Sequence, residues 1–501
     1  MSPYLLGIDS GLTVTKAVVF DEEGRERGKG AVNNDQTSPR PRWVEQDMDR
    51  LWENCCAVVK QALDQAGIDA GEIAAIGVSG HGDGIYMVDE RGRPVRAGVL
   101  SLDSRAYEVA ERWQESGVAD RALELTGQKP FASMAATLLT WFREHEPESF
   151  ERTGWILYVK DWIRYKLTGE FATDTTEASS GFTDVNTQKY SQEVLSLYGL
   201  EEVQDKLPPV VGCTEVAGEV TREAAEATGL AAGTPVVAGA HDIDAGPVGV
   251  GCTKPGQLTM IAGTWSINGV VADKVVLNEA GLCRNFVVPG LWVNFSVSPA
   301  SATNLEWFVQ HLSPLEVEKA KQSGTSPFAF VNEEVKEVLG EESRVFYHPF
   351  LYGSPFGDAA TAGFVGLRGW HKRGHVLRAL FEGTVFNHKQ HVDTLRSVSD
   401  FTRVRLTGGG SRSELWSQMF ADALDLTVEI PDADEAGALG AAVCAGVGVG
   451  VYGSLDEATE RVVSILRTHE PDPENHRRLA EAYETYAAIA DALAPVWPRT
   501  G

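Results

Sequence analysis

Two carboxylates, Asp242 and Asp244, stand in the stretch VVAGAHDIDAGPVGVG (236–251), where an apolar run gives way to Gly, Ala, Val and Pro. An acid at such a strand end can accept a proton from an attacking group if the chain brings a second substrate to it. Three glycine-rich turns have the composition to do so. GIDSGLTVTK places Asp9 at a strand end, Ser10, Gly11 and Thr13 in the turn and Lys16 on the next strand. Glycine lets backbone N–H groups approach a phosphate, a hydroxyl adds a donor, and an acid such as Asp9 can hold Mg²⁺ through water. IAGTWS repeats the idea with Gly263 and Thr264, and LTGGGSRSELW carries Gly409, Gly410 and Ser413 between a strand and a helix start. Each turn alone reads more readily as a plain hairpin. No P-loop spacing occurs; together, one per βαβ-like unit, the turns point to a nucleotide held between two similar domains. Asp244 reads as a first-turn helix acid that favours the helix dipole. His241 suits substrate contact, orientation of Asp242 or packing, and no further residues at metal-ligand spacing accompany it.

The elements that must position these residues follow from periodicity. Residues 4–33 read as three strands separated by tight turns, and DMDRLWENCCAVVKQALDQAG as a helix capped by Asp47 or Asp49 and stopped by Gly67. IAAIGVSG reads as a buried strand, which announces an α/β domain with a mixed sheet. Helical material continues over 105–170, broken at Pro130, Pro147 and Gly169. The second half repeats the plan: the hairpin GQLTMIAGTWSINGVVADK, a helix at 375–397, a strand–loop–helix from Val404, the strand TVEI and a helix from about residue 435. A last helix, 474–494, carries Leu479, Tyr483, Tyr486, Ile489 and Leu493 on one stripe as a closing helix. The division falls where Gly and Pro cluster near 246–254, giving domains 1–248 and 249–501.

A chain of 501 residues with 43% hydrophobic and 23% charged residues is sized for two large domains or three smaller ones. Its net charge of −27 argues against nucleic acid as a partner, whose phosphates need a basic surface. Cys55, Cys56, Cys213, Cys252, Cys283 and Cys444 show no paired spacing and read as buried thiols of a reducing compartment. The opening YLLGIDSG has no basic leader, and the uncharged run 436–454 is too rich in glycine for a membrane span. The expectation is a cytoplasmic protein with no membrane partner, a homodimer being an allowed assembly.

The order DxGxT…K, GTW, TGGGSRSELWSQMFAD and EAGALGAA, with VKDWIRYKLTGEFATD and HDIDAGPVGVG, resembles the FGGY carbohydrate kinases of the actin/hexokinase/heat-shock ATPase superfamily. The resemblance runs over about residues 4–450. It implies two ribonuclease-H-like α/β domains flanking a catalytic cleft, an N-terminal one for sugar and a C-terminal one for nucleotide. It implies ATP and Mg²⁺ at Asp9, Gly11, Thr13, Lys16, Gly263 and Thr264, with Gly409, Gly410 and Ser413 beside the adenosine. Asp242 matches the family's catalytic base. A small sugar or polyol would meet His81, Asp83, Asp103 and Arg105, since a carboxylate accepts from several hydroxyls at once. The chain departs from the family at Leu12, Ser101, Leu102 and Leu138. GTWSINGV, SPASATNLEWF and HPFLYGSPFGD resemble the L-xylulose/3-keto-L-gulonate kinase branch, and GHGDG resembles erythritol kinases. The expected substrate is therefore L-xylulose or a related pentulose. Erythritol-type polyols and D-xylulose are the alternatives within the family, and an actin-like ATPase that transfers nothing is the alternative outside it. NLEWF (304–308) fits either core packing or the site.

Overall fold

The computed structural model describes residues 3–277, 281–357 and 359–499; Asp358, which closes the segment HPFLYGSPFGD, lies outside them. Two compact units emerge, and neither is a continuous stretch. Unit 1 combines the chain up to Pro255 with Val271–Val293 and Ala433–Ser464. Unit 2 combines Gly256–Val270, Asn294–Asp432 and the chain from Ile465 on. The 248/249 division follows the order of the two architectures along the sequence, whereas the compact units also recruit two later segments to the first.

Unit 1 is built on a seven-stranded mixed sheet. Tyr4–Ser10 pairs antiparallel with Val14–Phe20, which pairs antiparallel with Glu26–Asn33, as the three turn-separated strands predict. On its other side Tyr4–Ser10 runs parallel to Ile73–Gly80, which also pairs with Pro235–Val237 and Ala240–His241. The intervening helix Met48–Ala66 is capped by Asp47, whose carboxylate accepts from the Arg50 N–H, and ends at Gly67 with φ 63°. Residues 105–170 form Tyr107–Glu115, Val118–Thr126, Ala135–His145, Pro147–Arg152 and Val159–Thr168, with the strand Trp155–Leu157 between the last two. Pro147 opens a helix rather than breaking one, because the first helical turn needs no N–H from it. Leu138, a departure from the family pattern, is fully buried in this helical cluster, where an apolar side chain belongs.

The glycine-rich run after residue 435 forms the helix Ala436–Gly448, which lies on the first sheet. A Cβ at Gly7 would overlap the Ala438 carbonyl, and one at Gly440 would overlap the carbonyl of Ala245. The small residues therefore serve close packing, and no described helix is long and apolar enough to cross a membrane. All six cysteines are buried and none is in a disulfide among the described residues.

In unit 2, Leu258–Ala262 turns back on Ser266–Ala272 and runs parallel to Arg403–Thr407. Arg403–Thr407 is parallel to Thr427–Pro431, which pairs antiparallel with Ile465–His469. Arg373–Leu395 and Pro473–Leu493 are the two long helices, each within two residues of expectation. On the second, Leu479, Tyr486 and Ala490 are the buried line, while Tyr483, Ile489 and Leu493 are half-buried. The stripe is thus narrower than predicted and includes an alanine that hydrophobicity alone did not single out. Within NLEWF, Asn304, Leu305 and Phe308 are buried, and Asn304 Oδ1 accepts from the Tyr347 hydroxyl at 2.9 Å, which makes the segment core.

Candidate active site

Ala240–His241 pairs with Ser79 and Gly80, and the helix Asp242–Gly249 starts on the next residue. Asp242 is therefore presented at a helix start, as its surroundings in the sequence predict. Two side chains fix the approach: Arg164 Nη1 donates to the Ala238 carbonyl at 2.8 Å, and Thr176 Oγ1 accepts the His241 N–H at 3.0 Å. Burial, then the charge of Asp9, pushes the Asp242 carboxyl up to about 8, against the pull of the Ile243 N–H. Water offsets part of this rise, because 34% of the side chain is exposed. His241 Nε2 lies 3.3 Å from Asp242 Oδ1. Burial holds that imidazole well below its ordinary range, so it is neutral and orients the carboxylate rather than neutralising it.

Asp244 stands in the first turn of the helix Asp242–Gly249, as expected, but not in a place where the dipole can sustain its charge. It is fully buried, both carboxylate oxygens lack a hydrogen-bond partner, and burial with Asp174 nearby pushes it well above the usual range. The helix dipole favours the anion by about 1 kcal/mol at most sites, too little to offset such burial.

At the end of the first strand, burial pushes Asp9 up to about 6 against the pull of Lys16, and its Oδ1 has no partner. Gly437 leaves it room: a Cβ there would come within 2.6 Å of Asp9 Oδ2. Gly11 donates to the Val14 carbonyl at 3.0 Å, closing the turn, and Thr13 is exposed. Lys16 is engaged by Glu435 at 2.6 Å. The strand end Ser10 accepts the His81 N–H at 3.0 Å, which ties the loop His81–Gly84 to the Asp9 turn.

In that loop His81 is buried, and burial lowers its imidazole to about 4. Asp83 has φ 56°, a left-handed conformation that an Asp adopts far more readily than a bulky residue. Its carboxylate is not free. Arg284, which the sequence reading passed over, donates from Nη2 to Oδ1 at 2.9 Å and from Nη1 to Oδ2 at 3.4 Å. No motif marks Arg284; its signal is a lone cation in the apolar, strand-like GLCRNFVV, where a charge is costly unless paired. Asp103 and Arg105, which the resemblance assigns to the sugar, are paired with each other. Both side chains are fully buried and joined at 2.7 Å, Asp103 also accepting the Val44 N–H and Arg105 reaching Glu45. Arg105 Nη1 is left buried without a partner. A further buried set, Lys160 with Asp161 and Asp174, and Arg164 with Asp161, braces the helix Val159–Thr168.

Unit 2 holds its own candidate residues. Gly263 and the exposed Thr264 form the turn between Leu258–Ala262 and Ser266–Ala272. Gly409 and Gly410 lie in the 3₁₀ turn Gly409–Arg412, and Ser413 caps the helix Glu414–Leu424 by accepting the Trp416 N–H at 3.1 Å. Ser413 also donates to Asn332 Oδ1 at 3.0 Å. These two line a cavity of about 470 Å³ with Glu333, Lys336, Arg412 and His469. The wall from the helix Pro327–Val338 was not visible in the sequence, because it is distant along the chain and carries no motif.

Residues 4–249 match the model for the N-terminal domain of the FGGY family of carbohydrate kinases, and residues 258–449 match that for its C-terminal domain. The L-xylulose/3-keto-L-gulonate kinase of Escherichia coli (strain K12) is 35% identical, with 98% of each chain covered. A probable L-xylulose kinase of Pasteurella multocida is 33% identical over 98% of this chain and 99% of its own. Among solved structures, a xylulose kinase from Rhodospirillum rubrum is similar with a TM-score of 0.89, 26% identity and 99% of both chains covered.

Proposed function

Because the chain belongs to the FGGY family of carbohydrate kinases, and so transfers a phosphoryl group to a sugar, we propose that its acceptor is L-xylulose or a closely related pentulose. The observation that carries this reading is similarity along the whole chain, at 35% identity, to a kinase named for L-xylulose. Asp242 is the base in this reading: its carboxyl combines partial exposure, an orienting His241 and an affinity for protons above that of an ordinary Asp. Such a base need only reach the attacking hydroxyl, since phosphoryl transfer is dominated by positioning and charge stabilisation. Asp83 and His81 recognise sugar hydroxyls, with Asp103 and Arg105 setting the wall behind them. In unit 2, Thr264, Gly409, Gly410 and Ser413 serve the nucleotide.

The residues present suit Mg²⁺: Asp9 keeps an unpartnered oxygen, and the repulsion between Asp9 and Asp242 is what a cation would relieve. Asp9 would hold the ion through water, and Mg²⁺ when bound supplies charge neutralisation for the ATP phosphates. Gly11, Thr13 and Lys16 complete the turn that faces those phosphates.

A coupled ADP-release screen over ketoses and polyols tests the assignment. L-xylulose or another pentulose should give the highest kcat/KM. Preference for erythritol or D-xylulose would replace the substrate, and ADP release indifferent to every sugar would overturn the reading.

A further inference from the structure

His241 lies between two carboxyls of unit 1. Its Nε2 is 3.3 Å from Asp242 Oδ1, and its Nδ1 is 3.9 Å from Glu177 Oε1. Both His241 and Glu177 are buried, and His241 Nδ1 and the two Glu177 oxygens have no hydrogen-bond partner among the described residues. Unpaired polar atoms in such a place cost stability unless they pair with each other. A shift of about 1 Å, within reach of a side-chain rotation, turns the Glu177–His241 contact into a hydrogen bond. One short helix, Thr175–Ala178, holds both members of the pair: it carries Glu177, and Thr176 Oγ1 accepts the His241 N–H at 3.0 Å. The loop His81–Gly84 covers them. A Cβ at Gly82 would stand 2.3 Å from His241 Nε2 and 2.6 Å from Glu177 Oε1, an overlap that glycine avoids.

Which of these atoms carry protons follows from their surroundings. Besides His241, the charged and titratable groups around Glu177 are Lys160, Asp161, Asp174, Asp83, Arg284 and Tyr158. Lys160 Nζ is 3.9 Å from Glu177 Oε2 but is engaged by Asp161 and Asp174. Burial wins over its pull and pushes the Glu177 carboxyl well above the usual range, to a neutral form with one O–H to donate. Burial, with Arg284, Lys160 and His81 nearby, keeps the His241 imidazole neutral too. One ring nitrogen then carries hydrogen and the other accepts, and the bond made by one fixes the state of the other. We infer that Glu177 is a positioning residue for the transfer: its hydroxyl donates to His241 Nδ1 and holds the imidazole in the tautomer whose Nε2–H faces Asp242. Both ring nitrogens are then paired, and the Asp242 carboxylate receives a hydrogen bond that favours its base form. The other tautomer would set a lone pair against that carboxylate. The inference deepens the proposed function and rests on its reading of Asp242 as the base.

Steady-state kinetics across pH, on the best sugar of the ADP-release screen, test it with two variants. Glu177→Met is similar in length and offers no donor. It should lower kcat by about 10-fold and leave the sugar KM within about twofold. It should also move the rise of kcat/KM to higher pH by about one unit, because the Asp242 anion loses support. Glu177→Gln presents an amide N–H to the same nitrogen, so it should rescue kcat to about a third of wild type or more and restore the pH midpoint. A Glu177→Met enzyme with the wild-type midpoint, or a Glu177→Gln enzyme as impaired as Glu177→Met, overturns the proposal. Should Glu177→Met fail to fold, nitrogen NMR of the wild-type imidazoles decides, the His241 signals being identified by their loss in His241→Asn. The Nε2–H tautomer is expected, and an Nδ1–H or charged ring overturns the proposal. An Asp242→Asn enzyme that keeps about a tenth of the wild-type kcat overturns the base reading beneath it, whereas an Nδ1–H ring beside an inactive Asp242→Asn overturns the proposal alone.

Discussion

At the scale of residues, Asp242 and Asp244 separate two roles that look alike in sequence. Asp242 is partly exposed beside His241, whereas Asp244 is sealed without a partner. Asp242→Asn should lower kcat by about 10²–10⁴ while nucleotide binding, followed by calorimetry, is unchanged. A mutant that keeps a tenth of the wild-type kcat would move the base elsewhere. A base with a raised pKa must lose its proton to work, so kcat/KM for the sugar should climb as pH rises through neutrality toward 8. Asp244 makes a stability statement. Its folded pKa lies above its unfolded value, so proton binding favours the fold; that contribution is full at low pH and lost as pH rises. Asp244→Asn should therefore resist urea better than wild type at pH 8 and no better near pH 4.

At the scale of elements, one helix in each unit supports candidate residues, by opposite means. Ala436–Gly448 works by absence of side chains, and Gly440→Ala sets a methyl against the Ala245 carbonyl, three residues past Asp242. The mutation should cost about 1–3 kcal/mol in denaturant unfolding and, with Asp242 as the proposed base, depress kcat, because the helix Asp242–Gly249 must shift. Glu414–Leu424 works through its cap. Ser413→Ala removes the acceptor for the Trp416 N–H and the bond to Asn332, costing about 1 kcal/mol. Steady-state kinetics should show a higher KM for ATP with the KM for sugar unmoved; equal changes in both would remove Ser413 from nucleotide binding.

At the scale of the whole molecule, unit 1 gathers the candidate residues His81–Gly84, Asp242 and Arg284 from remote parts of the chain. Hydrogen–deuterium exchange should register this. Sugar should protect 80–84 and 282–285 together, although about 200 residues separate them, and leave 408–418 unchanged. Protection confined to 80–84 would mean that Arg284 does not share the load on that loop.

The turns, the acid at 242 and the family were legible in the sequence because each is local: glycine at a strand end, a hydroxyl beside it, an acid before small residues. The helix cap at Asp47 and the hairpins at 4–20 and 258–272 were legible for the same reason. Pairing was not. Arg284 under Asp83, Asp103 consumed by Arg105, and Asn332 beside Ser413 depend on distances that composition and periodicity do not encode. Burial was equally invisible: Asp242 and Asp244 share a side-chain type and a helix turn, and only the tertiary structure opens one to water and seals the other. A charge means different things in those two places because desolvation scales with what surrounds it, and the surroundings come from residues far away along the chain.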